Sequence, residues 1–425
     1  MSRSLFLSVL TYSLFIAGIV TVNGGLIALA LPFVVYLFAS YLFAPDKIYL
    51  EVSRRLSAER VAPDADVIVT VTIVNNGSQL DEVLIEDVVP PGLNVRLKHS
   101  RHLIRLPKNG SYTFGYTVTG PRGGYWFDRV RVKVNESLAV NSRQVQLEAK
   151  AQLFVFPQVM RLRHVAIRPR RTRVYAGTIP ARAGGSGTEF FGVRDYQPGD
   201  SPRVINWRAS ARSVDALYSN EYQQERVADV GIVLDGRIRT NTFADGHSLF
   251  EYSVQAAASL ALTLLGQGNR VGLLVYASFL GWTIPGYGKV QRERILHSLA
   301  QATPGGSEVF SDFAHLPTQL FPPESQIVLV SPLTDDDLMP LVQLRAQGYQ
   351  VLAVVPDPVE FELSYLQKAG NVDLASRVIR MERKLLLQRV QRAGVQVLEW
   401  DVRDPFDQVV KRNLSHPPGW LRASR

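Results

Sequence analysis

Cysteine is absent from the 425 residues, which excludes disulfides, thiolate catalysis and cysteine-ligated zinc. The absence also fits a reducing compartment. Histidine is sparse and scattered, at His99, His102, His164, His247, His297, His315 and His416. No H-E-x-x-H or comparable spacing gathers these rings into a ligand set. Acidic residues are missing from one long stretch. From position 149 to 188 there is no Asp or Glu, against Lys150, Arg161, Arg163, Arg168, Arg170, Arg171, Arg173 and Arg182. Those cations account for almost all of the formal net charge of +9, so the basic character belongs to one patch. Such a patch suits anionic lipid, nucleic acid or an acidic protein surface, and equally a solvated linker.

What is present points to several domains, since a chain this long outgrows one core. Residues 5–22 and 26–43 are two runs of 18 without a charge, separated by Asn23-Gly24-Gly25. Each has the length of a membrane-spanning helix, and the short join leaves room only for a tight hairpin. A cleaved signal peptide is the competing reading of the first run; the second run follows at once, with no A-x-A-like site between. Arg3 precedes the pair and Lys47, Arg54 and Arg55 follow it, while the join has no cation. The positive-inside rule then predicts a multi-pass protein of the plasma membrane with its soluble parts in the cytoplasm. The organisation expected is a transmembrane hairpin over 1–46, a β-sandwich of immunoglobulin-like type over 47–156, an Arg-rich linker and motif over 157–226, and an α/β domain over 227–425.

The β-sandwich rests on period-two runs such as 66–74 and 112–119, broken by Asn75-Asn76-Gly77, Pro90-Pro91-Gly92 and Lys108-Asn109-Gly110. Gly184-Gly185-Ser186-Gly187 lacks the G-K-[ST] of a phosphate loop and reads as a hinge. Beyond residue 227, apolar strands at 230–234, 271–276, 327–330, 351–355 and 395–400 alternate with helical patterns at 248–265, 290–299, 337–347, 363–393 and 405–414. That rhythm predicts a parallel sheet covered on both faces, with its working crevice beyond the carboxyl ends of the central strands.

The most specific stretch runs from Phe190 to Glu225. Arg194, Tyr196, Gly199, Asp200, Arg203, Trp207, Ser210, Ala211, Arg212 and Glu225 fall at the positions of an Arg-x-Tyr-x-x-Gly-Asp run, an Arg, an Asp-Trp-x-x-Ser-Ala-Arg run and a later Glu. This resembles the signature of the family catalogued as domain of unknown function 58, with Asn206 where the family usually has Asp. From the residues themselves, arginine forks interleaved with carboxylates and aromatic rings predict a structural clamp or a protein-docking surface. No nucleophile–base pair is visible.

The resemblance also implies that 227–425 is a von Willebrand A-like domain. Metal-binding members hold a divalent ion with an Asp-x-Ser-x-Ser loop and oxygens from two further loops. Here Asp235 is kept, Ser307 and Asp335 stand in the other loops, and Arg237 and Arg239 replace both serines. A cation some 4 Å from the ion opposes it by roughly 4 kcal/mol at an effective dielectric of about 20. The site is therefore read as degenerate for magnesium, without a cofactor, and an arginine is expected to bond Asp235 or Asp335 instead. The function expected is a non-catalytic, membrane-anchored adaptor or scaffold; the resemblance implies work beside a MoxR-type AAA+ ring ATPase in assembling other complexes. The alternatives are a metal-dependent hydrolase using the crevice, and anionic-lipid or nucleic-acid binding through Arg161, Arg163, Arg168, Arg170, Arg171 and Arg173.

Overall fold

The computed structural model describes residues 3–42, 48–135, 142–167, 172–212, 216–277, 280–305, 313, 316–366 and 370–414. It divides into two compact units, Met1–Phe156 and Pro157–Arg425.

The first unit opens with helices α1 (Arg3–Val20) and α2 (Gly24–Leu42). Their join is tight: Asn23 donates its backbone N–H to Gly18 and accepts from Gly25 through its side chain. Gly18 is required here, because a Cβ would come within 2.7 Å of Ile27. Both helices leave large apolar side chains exposed, among them Tyr12, Ile16 and Ile19 on α1 and Leu31, Val35 and Phe38 on α2. Among the described side chains, their continuous apolar segments are Phe6–Val20 and Gly24–Ala39.

Nine strands follow: β1 (Leu50–Leu56), β2 (Arg60–Val61), β3 (Val67–Asn75), β4 (Leu80–Asp87), β5 (Asn94–Leu97), β6 (Arg101–Leu106), β7 (Ser111–Thr119), β8 (Gly123–Asn135) and β9 (Ser142–Val155). They form two sheets, β1-β3-β7-β5 and β2-β9-β8-β4-β6, antiparallel except for the short β2–β9 pair. Alternation does the work: Val67, Val69, Val71 and Ile73 of β3 and Val130, Val132 and Val134 of β8 all enter one shared core. Inside that core lies a buried ion pair. Arg54 bonds Asp87 and the carbonyls of Ala149 and Arg129, and its guanidinium lies 5.0 Å from the centre of the Phe127 ring. Tyr116 donates to the same carboxylate at 2.7 Å; burial, then the charge of Asp87, pushes its hydroxyl pKa far up.

In the second unit the segment 157–166 is fixed rather than free. Leu162 and Val165 are buried, Met160 N–H donates to Ser259 Oγ at 2.9 Å, and Ala166 N–H donates to the Leu414 carbonyl. Then come β10 (Thr172–Asp195), the short helix α3 (Trp207–Ser210) and β11 (Tyr218–Asp235). β10 and β11 pair antiparallel, with Gly184 opposite Gln223 and Gly185 opposite Tyr222. The glycine run read as a hinge is thus strand backbone, placed where the pairing shifts register. Arg168, Arg170 and Arg171 lie outside the described residues, and Arg173 is described only as β10 backbone.

The remaining elements are β12 (Phe243–Ala244), β13 (His247–Ser248), α4 (Leu249–Gly266), β14 (Arg270–Tyr276), β15 (Leu280–Gly286), α5 (Gly288–Gln301), β16 (Gln326–Val330), α6 (Leu338–Ala346), β17 (Gln350–Pro356), α7 (Pro358–Tyr365), α8 (Gly370–Arg392), β18 (Gln396–Trp400) and α9 (Phe406–Leu414). The main sheet runs β15-β14-β11-β16-β17-β18, parallel from β14 to β18, with β15 an antiparallel edge. Val233, Leu329 and Ala353 face Leu341 of α6 and Leu387 of α8, while α4 lies along β11, β14, β16 and β17. The helical pattern expected over 363–393 is divided between α7 and α8. Among the described residues α4 is the helix long and apolar enough to cross a membrane by length and composition, yet 61% of it is buried. It is the core helix of this unit.

Candidate functional site

Parallel strands deliver their carboxyl ends to one side of the sheet, and the loops there converge. Central β11 ends in Asp235, and its neighbour β16 is followed by Ser331 and then by Thr334 and a 3-10 turn, Asp335–Asp337. Into the space between these loops goes Arg237, only 2% exposed. Its Nε donates to Asp235 Oδ1 and its Nη2 to Asp235 Oδ2, both at 2.8 Å. Nη1 and Nη2 also donate to the two oxygens of Asp337, at 2.8 and 2.9 Å. The guanidinium lies 3.8 Å from the centre of the Phe313 ring. Burial opposes the charge, but the hydrogen bonds from Asp235 and Asp337 outweigh it and raise the arginine pKa further.

Both carboxylates are satisfied by other donors as well. Asp235 accepts from the Arg237 backbone N–H, from Thr240 Oγ1 at 3.0 Å and from Ser331 Oγ at 2.6 Å. Asp337 accepts from the backbone N–H and the hydroxyl of Thr334. The strand-end loop is clamped by backbone bonds: Gly236 N–H to the Tyr276 carbonyl, Gly305 N–H to the Gly236 carbonyl and Ile238 N–H to the Gly305 carbonyl. A divalent ion does not fit this arrangement. Asp235 has its oxygens engaged by donors, and a buried guanidinium occupies the side of the carboxylate on which an ion would sit. Among the described residues no three His, Asp or Glu side chains gather as a metal-holding group.

Arg237 bonds the expected Asp235, and its second carboxylate is Asp337 rather than Asp335. Asp335 is exposed, whereas Asp337 is buried and carries the bond. The turn explains this: the third residue reaches back to the Thr334 N–H and so faces inward, as in a capping box. Arg239 leaves the crevice and meets Asp336 at 3.1 Å on the surface. Ser307 lies outside the described residues. The sequence reading placed none of Thr240, Ser331, Asp337 and Phe313 in the crevice; the Thr334-x-x-Asp337 spacing is a signal that could have found Asp337.

The signature forms a second site, a tight turn at the end of the β10–β11 ribbon. Arg194 makes a two-pronged bond to Asp200, at 2.8 and 2.7 Å, with Glu221 3.8 Å from its Nε. Asp200 also accepts from Gln197 N–H and Ser219 Oγ. These contacts, the Arg194 bonds first, hold the Asp200 carboxyl down at about 2. Tyr196 donates its hydroxyl to the Asp200 carbonyl, and Gly199 sits at φ +110°, a backbone angle that favours glycine. Asn206 caps α3 by accepting from Ala209 N–H and donates to Asn220, so it fills the capping role an Asp would fill. Ser210 accepts from Tyr218 N–H. Trp207 is 67% exposed. Arg203 and Arg212 stand outside this network, and the side chain of Glu225 lies outside the described residues.

Comparison with known proteins finds relatives described as uncharacterized. The chain is 26% identical over 398 residues to the uncharacterized protein YeaD of Bacillus subtilis, covering 91% of this chain and 93% of that protein. It is 27% identical over 216 residues to the uncharacterized protein Rv1480 of Mycobacterium tuberculosis, covering 48% of this chain and 65% of the relative. A FixG-related protein from Vibrio parahaemolyticus is similar over 26% of this chain and 97% of its own, at 11% identity and a TM-score of 0.18, which carries no argument. Residues 192–401, which contain both the signature turn and the arginine-filled crevice, match the family model described as protein of unknown function DUF58.

Proposed function

We propose that this chain is a non-catalytic, membrane-anchored adaptor whose C-terminal unit is a von Willebrand A-like domain with a self-filled crevice. The observation that carries this reading is Arg237. A crevice that in metal-binding A domains takes a divalent ion here takes a tethered guanidinium, bonded to Asp235 and Asp337. A buried ion pair of this kind holds the loops without leaving a Lewis acid or a titratable base for chemistry. The exposed apolar faces of α1 and α2 support a two-helix anchor, and the cation asymmetry supports a cytoplasmic placement of the soluble units. Pro32 inside α2 is compatible with a lipid-embedded helix.

The partner follows from the family resemblance rather than from the geometry: a MoxR-type ring ATPase acting on client complexes. The experiment is photocrosslinking of the full chain in its native membrane, with the probe at Trp207 and identification of what is captured. Recovery of a ring ATPase, dependent on an intact Arg194–Asp200 turn, supports the adaptor. Micromolar magnesium or manganese binding by the wild-type chain, measured by calorimetry, overturns the non-catalytic reading and favours a metal-dependent hydrolase.

A further inference from the structure

The second unit has a cleft of about 610 Å³ between segment 159–163, the end of α4 and the start of α5. Four of its lining side chains are cations from separate parts of the chain: Arg161, Arg163, Lys289 and Arg292. No carboxylate lines it, and among the described residues none of the four makes an ion pair. Cations brought together without counter-charges repel one another, and an anion relieves the repulsion. The arginine segment is held in place, since Met160 is bonded to Ser259 and Leu162 is buried.

Two further features give the cleft a chemical preference. Helix α5 begins here at Gly288, with φ +80°; Tyr287 supplies no side-chain cap and the first turn has no acid. Its free N–H groups therefore add partial positive charge to the same space. The lining also has an apolar part, formed by Val159, Met160, Leu262 and Leu265. The volume is that of a small-molecule site rather than a surface track for a polymer.

We propose that this cleft binds a phosphate-bearing ligand, with the phosphate between the four cations and the α5 N-terminus and its organic part against the apolar part of the lining. Phosphate on a lipid headgroup and phosphate on a soluble metabolite share this chemistry. The site is independent of the Arg237 crevice and of the adaptor reading.

The test uses the full chain in phosphatidylcholine nanodiscs, titrated with inorganic tripolyphosphate by calorimetry. The variant R161Q/R163Q/K289Q/R292Q is compared with R294Q/R377Q/R389Q/R392Q, which removes equal charge elsewhere on the same unit. The expected result is saturable binding that weakens by about tenfold or more in the first variant and by less than about threefold in the second. In discs containing phosphatidylglycerol, cleft-dependent loss of tripolyphosphate binding identifies a headgroup as the source. Unchanged binding there identifies a soluble phosphate. If the fourfold variant fails to fold, Lys289→Glu is read in its place, with at least about fivefold weakening expected. Absent binding to wild type, or equal loss in both charge-matched variants, overturns the proposal.

Discussion

Replacing Arg237 by alanine would leave Asp235 and Asp337 buried beside each other with no counter-charge. Breaking a buried pair by removing one partner costs about 3–5 kcal/mol, and here one side chain serves two carboxylates. Loss of the stacking on Phe313 acts in the same direction. For a unit of this size each kcal/mol moves the midpoint by about 2–4 °C, so a drop of roughly 10 °C in Tm is expected. The deficit has a definite pH dependence. Without the guanidinium, burial and like charge raise the carboxyl pKa values in the folded state above the unfolded value of about 3.9. A raised carboxyl pKa means the folded variant holds a proton that the unfolded chain releases. Its stability is therefore least impaired in acid and is lost as pH rises toward 7. Arg237→Met combined with Asp235→Asn and Asp337→Asn should recover much of the loss, because an uncharged set of similar volume carries no uncompensated ion. Differential scanning calorimetry between pH 5 and 8 reads all of this. A Tm for R237A within about 2 °C of wild type, or a deficit flat across pH, would refute the buried-clamp argument.

Arg237→Ser with Arg239→Ser should gain magnesium affinity, since the cation on Asp235 is removed and hydroxyls enter the loop; calorimetric titration detects it. Asp200→Asn should lower Tm near neutral pH, with the difference from wild type shrinking as pH falls from about 4 toward 2, where Asp200 itself protonates. Arg54→Met should destabilise the β-sandwich unit by about 3–5 kcal/mol, leaving Asp87 buried and bonded only by neutral groups; thermal unfolding by circular dichroism checks it. Gly231→Ala should cost about 1–3 kcal/mol, because its Cβ would meet the Phe321 ring at 2.5 Å in the central strand. A reporter fused after Arg425 should be active only in a cytoplasmic format; full activity of an export-dependent reporter at that position reverses the topology.

The strands of both soluble units were legible because their patterns are local. Val67, Val69, Val71 and Ile73 alternate by burial within one strand, and Val230–Leu234 needs only its own apolar run to declare itself. Asp235 and Arg237 were legible as a conflict, two residues apart in a loop that the family resemblance compares with an ion-holding one. That Asp337 would answer the conflict, and not Asp335, depends on the handedness of a three-residue turn, which composition does not reveal. The glycine run misled because flexible composition and strand pairing are compatible when the opposite strand supplies the bonds. The cation cleft was only half visible: Arg161 and Arg163 stood out in an acid-free stretch, but Lys289 and Arg292 sit on a helix more than a hundred residues away. By length and composition alone α4 could cross a membrane, and its burial is what marks it as a core helix.

The guanidinium in the crevice has a further consequence, one of responsiveness. An ion arrives by diffusion and leaves, so a loop that needs one reports on its concentration. Arg237 is attached two residues from Asp235, and its local concentration is set by the covalent chain alone. While the pair holds, the guanidinium fills the crevice whatever the ion concentration outside. A crevice filled in this way presents the same face at any ion concentration at which the pair holds.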